Sequence, residues 1–263
     1  MIGVLDSGIG GLTVVRRIFD LLPDRRVVYF GDTARLPYGT KSAETVTAYA
    51  LQDAALLLER GAKLIVVACN SASAVALEAL RARFEAPILG VIEPAVQAAA
   101  RESRSGEIGV IGTRATVDSG IYQRLMAEAR PEARVHVQAT PLLVSLVEED
   151  WIAQPETLAI VRRYVEPLRD EGIDTLILAC THYPLLAEVI ARAAGPEVTL
   201  VDPSLETAAA LKALLEGDAA LAASLGRGDG GEFYVSDITP HFRRIGSQFL
   251  GRDVGELRKV ALE

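Results

Sequence analysis

Short, nearly unbroken apolar runs alternate with longer segments in which apolar residues recur at helical spacing, and this rhythm holds over almost the whole chain. Residues 2–5, 27–30, 64–68, 88–91 and 108–111 read as strands, as do 135–137, 175–178 and 198–201. Between them lie helical patterns at 12–22, at 43–60 (stopped by Gly61), at 72–84 and from Ala95 onward. Strands with no polar face are buried on both sides. The pattern therefore predicts an α/β protein with mainly parallel sheets, each covered by helices on two faces. The glycine-rich stretch 226–232 reads as a surface loop. A strand at 233–235 and a last helical run at 238–250 follow it, and this tail can return to pack on the first part of the chain.

Part of the pattern occurs twice. The strand Ile2-Gly3-Val4-Leu5 resembles Ile108-Gly109-Val110-Ile111, and Ala68-Cys69-Asn70 resembles Ala179-Cys180-Thr181. The two offsets, 106 and 111 residues, agree within a short insertion and predict a duplicated strand–turn–helix lobe. In each copy a cysteine closes a strand and precedes a helix. That is the carboxyl end of a parallel sheet, where open α/β sheets bind their ligands. Two such lobes facing each other would set two thiols across one cleft.

Composition narrows the possibilities. Half of the 263 residues are apolar, enough for a large core. The longest apolar stretch, 64–77, is interrupted by Asn70, Ser71 and Ser73 and falls short of a membrane span. Residue 1 leads straight into a strand with no basic leader, so the expectation is a cytoplasmic protein. The formal charge of −8 disfavours nucleic-acid and membrane partners. Arg101, Arg104, Arg162 and Arg163 are interleaved with acids and read as solvated helix faces. The two cysteines cannot by themselves close a four-ligand zinc site, and a cytoplasmic disulfide is improbable.

Several turns carry groups with chemical potential. Asp6-Ser7-Gly8-Ile9-Gly10-Gly11 is a glycine turn at a strand end, where backbone N–H groups can approach an anion. A dinucleotide fold would use a similar turn, with Asp32 closing the next strand, but Thr13 stands where its third glycine belongs. Asp6 is then either a helix cap or a proton-transfer partner. Tyr38, in the bend after Asp32, can present backbone or hydroxyl donors, or simply be buried. Cys69-Asn70-Ser71 places a thiol at a helix start, which lowers a thiol's pKa, beside groups that can bond a carboxylate. Cys180-Thr181-His182 is its counterpart, and His182 can protonate the thiol or stabilise its thiolate. Thr113 and Thr116 occupy the turn that echoes Asp6-Ser7, whereas Glu148 by default reads as a surface helix glutamate.

Taken together, these motifs resemble the glutamate racemases. The likeness rests on Asp-Ser-Gly-Ile-Gly-Gly from Asp6, Gly-Asp-Thr-Ala-Arg-Leu-Pro-Tyr-Gly from Gly31, Ala-Cys-Asn from Ala68 and Cys-Thr-His-Tyr-Pro from Cys180. Glu93-Pro94, Pro141-Leu142, Leu146-Val147-Glu148, Phe233-Tyr234 and Gln248-Phe249-Leu250-Gly251 extend it, in order, over nearly the whole chain. The resemblance implies two similar three-layer α/β lobes related by a pseudo-twofold, with the active site in the cleft between them. It assigns residues 1–93 and 205–263 to the first lobe and 94–204 to the second. It further implies cofactor-independent racemisation of glutamate, without pyridoxal phosphate or metal, supplying D-glutamate for peptidoglycan. Dimers are common in that family. By position, Cys69 and Cys180 would be the acid and base thiols, assisted by Asp6 and His182 respectively, with Glu148 as a further catalytic carboxylate. Ser7, Pro37, Tyr38, Gly39, Asn70, Ser71, Thr113, Thr116 and Thr181 would contact the substrate together with Asp6 and His182. Ser71 departs from the family's usual threonine: the hydroxyl stays and a methyl is lost.

The chemistry agrees with that resemblance. Inversion at Cα needs a base on one face and an acid on the other, and a carbanion-like transition state needs electrostatic support. None of the four lysines, Lys41, Lys63, Lys212 and Lys259, stands at an obvious Schiff-base site. Three other readings remain open at this level. They are an aspartate or hydantoin racemase of the same superfamily, an open zinc site built from Asp6, Cys69, Cys180 and His182, and a non-catalytic amino-acid sensor.

Overall fold

The computed structural model describes residues 1–262, apart from the side chains of Pro240 and His241. The first sheet contains strands β1 (Ile2–Asp6), β2 (Val27–Gly31), β3 (Leu64–Val67) and β4 (Ile88–Gly90). The second contains β5 (Glu107–Gly112), β6 (Arg134–Ala139), β7 (Thr175–Ala179) and β8 (Thr199–Val201). Two late strands, β9 (Gly231–Val235) and β10 (Leu257–Lys259), return to the first sheet. The strand orders are β10-β9-β2-β1-β3-β4 and β6-β5-β7-β8, and every ladder in both sheets is parallel.

The order β2-β1-β3-β4 is repeated by β6-β5-β7-β8. The two sequence echoes fall on matching strands: β1 on β5, and β3, which leads to Cys69, on β7, which leads to Cys180. The mixed α/β architecture with parallel sheets is thus the one the apolar rhythm predicts.

Why the strands lack a polar face is visible in the packing. Alternate side chains of the first sheet enter different cores. Leu5, Phe30, Ile65 and Val67 face the helices Ala43–Glu59 and Asn70–Arg83. Ile2, Val4, Val27, Tyr29, Leu64 and Val66 face the opposite way, toward the helix Leu12–Leu21. That second core runs without interruption through Val91, Ile92, Ala95 and Val96 into Ile108, Val110 and Ile177 of the second sheet. The lobes therefore share apolar contact on one side and separate only where the strand ends meet. The helix Pro203–Gly217 reinforces this joint by packing on both Leu12–Leu21 and Ile92–Glu102.

Local signals set the helix boundaries. Ser42, Thr113, Asp202 and Thr239 each accept a backbone N–H as N-caps, and Gly251 closes the helix Pro240–Leu250 in the left-handed conformation. Several boundaries differ from the sequence reading, two of them for a local reason. The helix expected at 72–84 begins two residues earlier, at Asn70, because Cys69 itself serves as the cap. The loop expected at 226–232 ends sooner, because Gly231 and Glu232 already pair with Val27 and Val28. The short strand β10 had no pattern of its own and forms only because β9 offers it an edge.

Candidate active site

Asp6 ends β1 and is buried. Its Oδ2 accepts the Gly8 N–H at 2.9 Å, and its Oδ1 has no hydrogen-bond partner. The turn after it needs glycines for close approach, since a Cβ on Gly11 would stand 2.5 Å from the Asp6 Cβ and 3.1 Å from that of Ala68. A Cβ on Gly10 would collide with Thr181 Oγ1 and come within 2.7 Å of His182 Nδ1. Gly10 is thus the point where the first lobe's turn presses on the second lobe's cysteine turn. Thr13, in the place of the absent third glycine, ties the two together. Its hydroxyl sits 2.8 Å from the Gly10 carbonyl and 3.1 Å from that of Thr181. Tyr29 fixes the same turn by donating to the Gly8 carbonyl at 2.7 Å.

Cys69 follows β3 and caps the helix Asn70–Arg83, accepting the Ala72 N–H at 3.5 Å. Its thiol reaches the Ser7 hydroxyl, also at 3.5 Å. Cys180 follows β7 and leads into the 3-10 turn Tyr183–Leu186. Its sulfur lies 3.8 Å from His182 Nδ1, and His182 Nε2 lies 3.0 Å from a carboxylate oxygen of Glu148 at the end of the helix Leu142–Glu148. Glu148 is therefore paired with the histidine rather than standing free on a surface. The buried ring of Phe249, from the C-terminal helix, meets the His182 ring edge-on with centroids 5.0 Å apart. Both cysteines are free and buried. Ala68 and Asn70 of one side and Cys180 and Thr181 of the other line a common small pocket.

The polar residues expected around a substrate are brought together across the joint. Ser71 Oγ lies 2.9 Å from Thr113 Oγ1 and 3.4 Å from Thr116 Oγ1, and the two threonines are 3.0 Å apart. Asn70 accepts from the Tyr122 hydroxyl at 2.8 Å, which turns its amide N–H groups away from that oxygen. Gly39 is held against Thr113, whose Cβ would be 2.9 Å from an added Cβ. Pro37 is exposed just before the 3-10 turn Tyr38–Thr40. Tyr38 refines the expectation of backbone or hydroxyl donors. Its hydroxyl is committed to Asp32 and Asp53, which leaves only its backbone groups for the role expected of it.

The electrostatics overturn one expectation. Burial, then the Asp6 charge, pushes the Cys69 thiol up to about 12. Hydrogen bonds from Ser7 and the Ala72 N–H work in the other direction, but burial away from water exceeds the helix-start effect that the sequence suggested. This balance favours the protonated thiol at Cys69. Burial also raises Asp6, with the turn's N–H groups and the His182 charge offsetting it in part. His182 is the opposite case. Burial lowers it, yet its contacts with Cys180 and Glu148 prevail and lift it to about 10. Among the described residues no group of three or more His, Cys, Asp and Glu side chains is arranged to hold a metal ion.

Three contributors escaped the sequence reading: Tyr122, Phe249 and Thr13. Tyr122 and Phe249 lie on amphipathic helices where a buried aromatic is ordinary core. Thr13 carried a signal by interrupting a glycine fingerprint, and Phe249 stood within the Gln248-Phe249-Leu250-Gly251 likeness with no role attached to it.

Similarity to known proteins agrees with this geometry. A family model described as Asp/Glu/Hydantoin racemase matches residues 2–211. The glutamate racemase of Geobacter metallireducens is 47% identical over 262 residues, spanning 100% of this chain and 97% of its own. The crystal structure of glutamate racemase isoform RacE1 from Bacillus anthracis superposes with a TM-score of 0.93 at 36% identity, covering 100% of this chain and 97% of that one. Glutamate racemase from Francisella tularensis, in complex with D-glutamate, gives 0.92 at 36% identity with the same coverage. With its two thiols closing equivalent strands and a likeness that runs from end to end, the chain belongs to the Asp/Glu/hydantoin racemase family and, within it, to the glutamate racemases.

Proposed function

We propose that this enzyme interconverts L- and D-glutamate by a two-thiol acid–base mechanism. The observation that carries this reading is the asymmetry of two otherwise equivalent cysteines. Cys69 is a buried thiol beside Ser7 and the Asp6 charge. Cys180 lies beside a histidine whose proton is held by Glu148 and by the sulfur itself. An imidazolium favours a thiolate next to it. In this arrangement Cys180 is the base that removes the α-proton from one face, and Cys69 is the acid that returns one to the other. Asp6 and His182 would then exchange roles when the reaction runs backward.

The substrate carboxylate fits the N-terminus of the helix Asn70–Arg83, where the Asn70 amide and the Ser71, Thr113 and Thr116 hydroxyls converge. Fixed donors of this kind stabilise the charge that develops as Cα loses its proton. Ser7, Thr181 and the backbone of Tyr38 and Gly39 complete the enclosure, with Pro37 setting the start of that turn. The scheme uses only side chains and backbone of this chain. Its role would be to supply D-glutamate for peptidoglycan in the cytoplasm.

The test is proton exchange. With L- or D-glutamate in D2O and no added cofactor, the expected result is inversion in both directions with deuterium at Cα. Cys69→Ala and Cys180→Ala should each lower racemisation by at least about 100-fold, the lower range for loss of a positioned acid or base. A folded protein that binds glutamate without exchange would sink the assignment.

A further inference from the structure

Behind the Tyr38–Thr40 turn lies a buried polar cluster that the two-thiol chemistry does not use. Tyr38, Asp32 and Asp53 are each no more than 1% exposed. The Tyr38 hydroxyl is 2.6 Å from Asp32 Oδ2 and 2.9 Å from Asp53 Oδ2. Arg35 spans both acids, with Nε 2.6 Å from Asp32 Oδ2 and Nη2 3.0 Å from Asp53 Oδ1. Asp32 Oδ1 accepts the Ser236 hydroxyl at 2.9 Å, and that serine's oxygen accepts the Ala34 N–H at 2.8 Å.

Counting protons leaves one unaccounted for. A phenol has a single hydrogen, yet its oxygen touches two carboxylate oxygens. Two ionised acids would leave one of these contacts as lone pair against lone pair, with one guanidinium facing two buried negative charges. The distances say where the extra proton lies. The 2.6 Å contact suits a hydroxyl donating to a carboxylate anion, and the 2.9 Å contact an ordinary neutral pair. Asp32 receives Arg35, Ser236 and Tyr38, whereas among the described residues Asp53 receives Arg35 alone besides the phenol. The less compensated acid is Asp53.

We propose that Asp53 is a positioning residue held as a neutral carboxylic acid, which donates its proton to the Tyr38 oxygen while Tyr38 donates to Asp32. This chain of bonds clamps the 32–39 loop to the helix Ala43–Glu59 and so sets the backbone of Tyr38 and Gly39 at the cleft. Among the described residues, the charged and titratable groups facing Asp53 are Asp32, Arg35 and Tyr38, with Asp6 at longer range. Their balance agrees with the geometry: burial, then the Asp32 charge, raises Asp53 well above the ordinary range, against Tyr38 and Arg35. Tyr49 closes the cluster, its ring 4.0 Å from the Arg35 guanidinium carbon.

The proposal rests on the racemase reading for its effect on substrate, but not for the proton itself. Asparagine mimics the neutral acid, since its amide can donate to Tyr38 while its oxygen accepts from Arg35. Asp53→Ala should raise KM for glutamate by about tenfold with little change in kcat, the equivalent of one unsatisfied buried group. Asp53→Asn should recover most of that loss, to within about twofold of the wild type. A second arm needs no activity: unfolding midpoints of wild type and Asp53→Asn from about pH 5 to about pH 8. An acid whose folded-state pKa is raised makes the native protein lose stability as pH climbs above its unfolded value of 3.8, and asparagine cannot titrate. The difference between the two proteins should therefore move steadily in favour of Asp53→Asn. A constant difference over that range, or an asparagine variant as impaired in KM as the alanine one, would overturn the proposal. If the wild type itself failed to racemise glutamate, the functional reading would fall and the stability arm would still decide the proton.

Discussion

The contact between Cys180, His182 and Glu148 is the most consequential set of single side chains in the site. His182 is buried, which favours the neutral ring, yet the neighbouring sulfur and carboxylate hold its proton to about 10. Its pKa in the fold is above the unfolded value of 6.5. The stability it contributes is therefore fully present below about pH 6.5 and is lost as pH rises through about 10. Activity that needs the imidazolium should fall over the same alkaline range. Replacing Glu148 by glutamine keeps the shape and removes a charge 3.0 Å from Nε2. The alkaline limb of the kcat/KM profile should then move down by about 1 pH unit, the usual effect of losing an opposite charge at that distance. An unmoved limb in Glu148→Gln would show that another group sets it. From sequence, Glu148 looked like a surface residue because a helix pattern records only its own periodicity, not the histidine that packs beside it from 34 positions downstream.

At the scale of elements, what matters is how closely two turns approach. The strand β1 and the cysteine strand β7 belong to different sheets, and their following turns touch at Gly10. The obstacle to a side chain there is Thr181 and His182, which Thr13 holds in place. Gly10→Ala should therefore cost about 2 kcal/mol, as overpacking does in a tight core, and should lower activity by displacing His182. Gly217 is a fitting control. It ends the helix Pro203–Gly217, and an added Cβ there meets nothing within 4 Å. Gly217→Ala should leave activity alone and change stability by no more than about 0.5–1 kcal/mol in the favourable direction. Denaturant midpoints for the pair decide the matter: equal destabilisation would mean that the turn yields and that the close approach is not a constraint.

The whole molecule is held together by returning chain as much as by the repeated halves. The repeat supplies β2-β1-β3-β4 and β6-β5-β7-β8, but only the first sheet is extended by β9 and β10. Without them β2 would be an edge, with Val27, Val28, Tyr29 and Phe30 exposed that are now fully buried. The same segment brings Ser236 to Asp32 and Phe249 to His182. Truncation after residue 230 should thus abolish cooperative unfolding and produce aggregation, not a smaller stable enzyme. A soluble truncated protein with a sharp urea transition would contradict this. No helix among the described residues is long and apolar enough to cross a membrane, in keeping with the absence of a spanning stretch in the sequence.

The sequence by itself determined the alternation of buried strands and helices, the parallel sheets and the placement of both cysteines at strand ends. Those properties follow from local periodicity and from where polar residues interrupt it. It also marked the glycines of the first turn and, through ordered motifs over the whole chain, the family. The tertiary structure alone decided what surrounds each group. Cys69 stands at a helix start, as its position indicated, yet its thiol is raised to about 12 because burial removes water that no local pattern records. Tyr38 turns its hydroxyl into a cluster with Asp53 on another helix, and Tyr122 reaches Asn70 from 52 positions away. Such pairings depend on which faces meet once the sheets are packed. Periodicity fixes which side of a helix is apolar, while the partner across the joint is set by the fold.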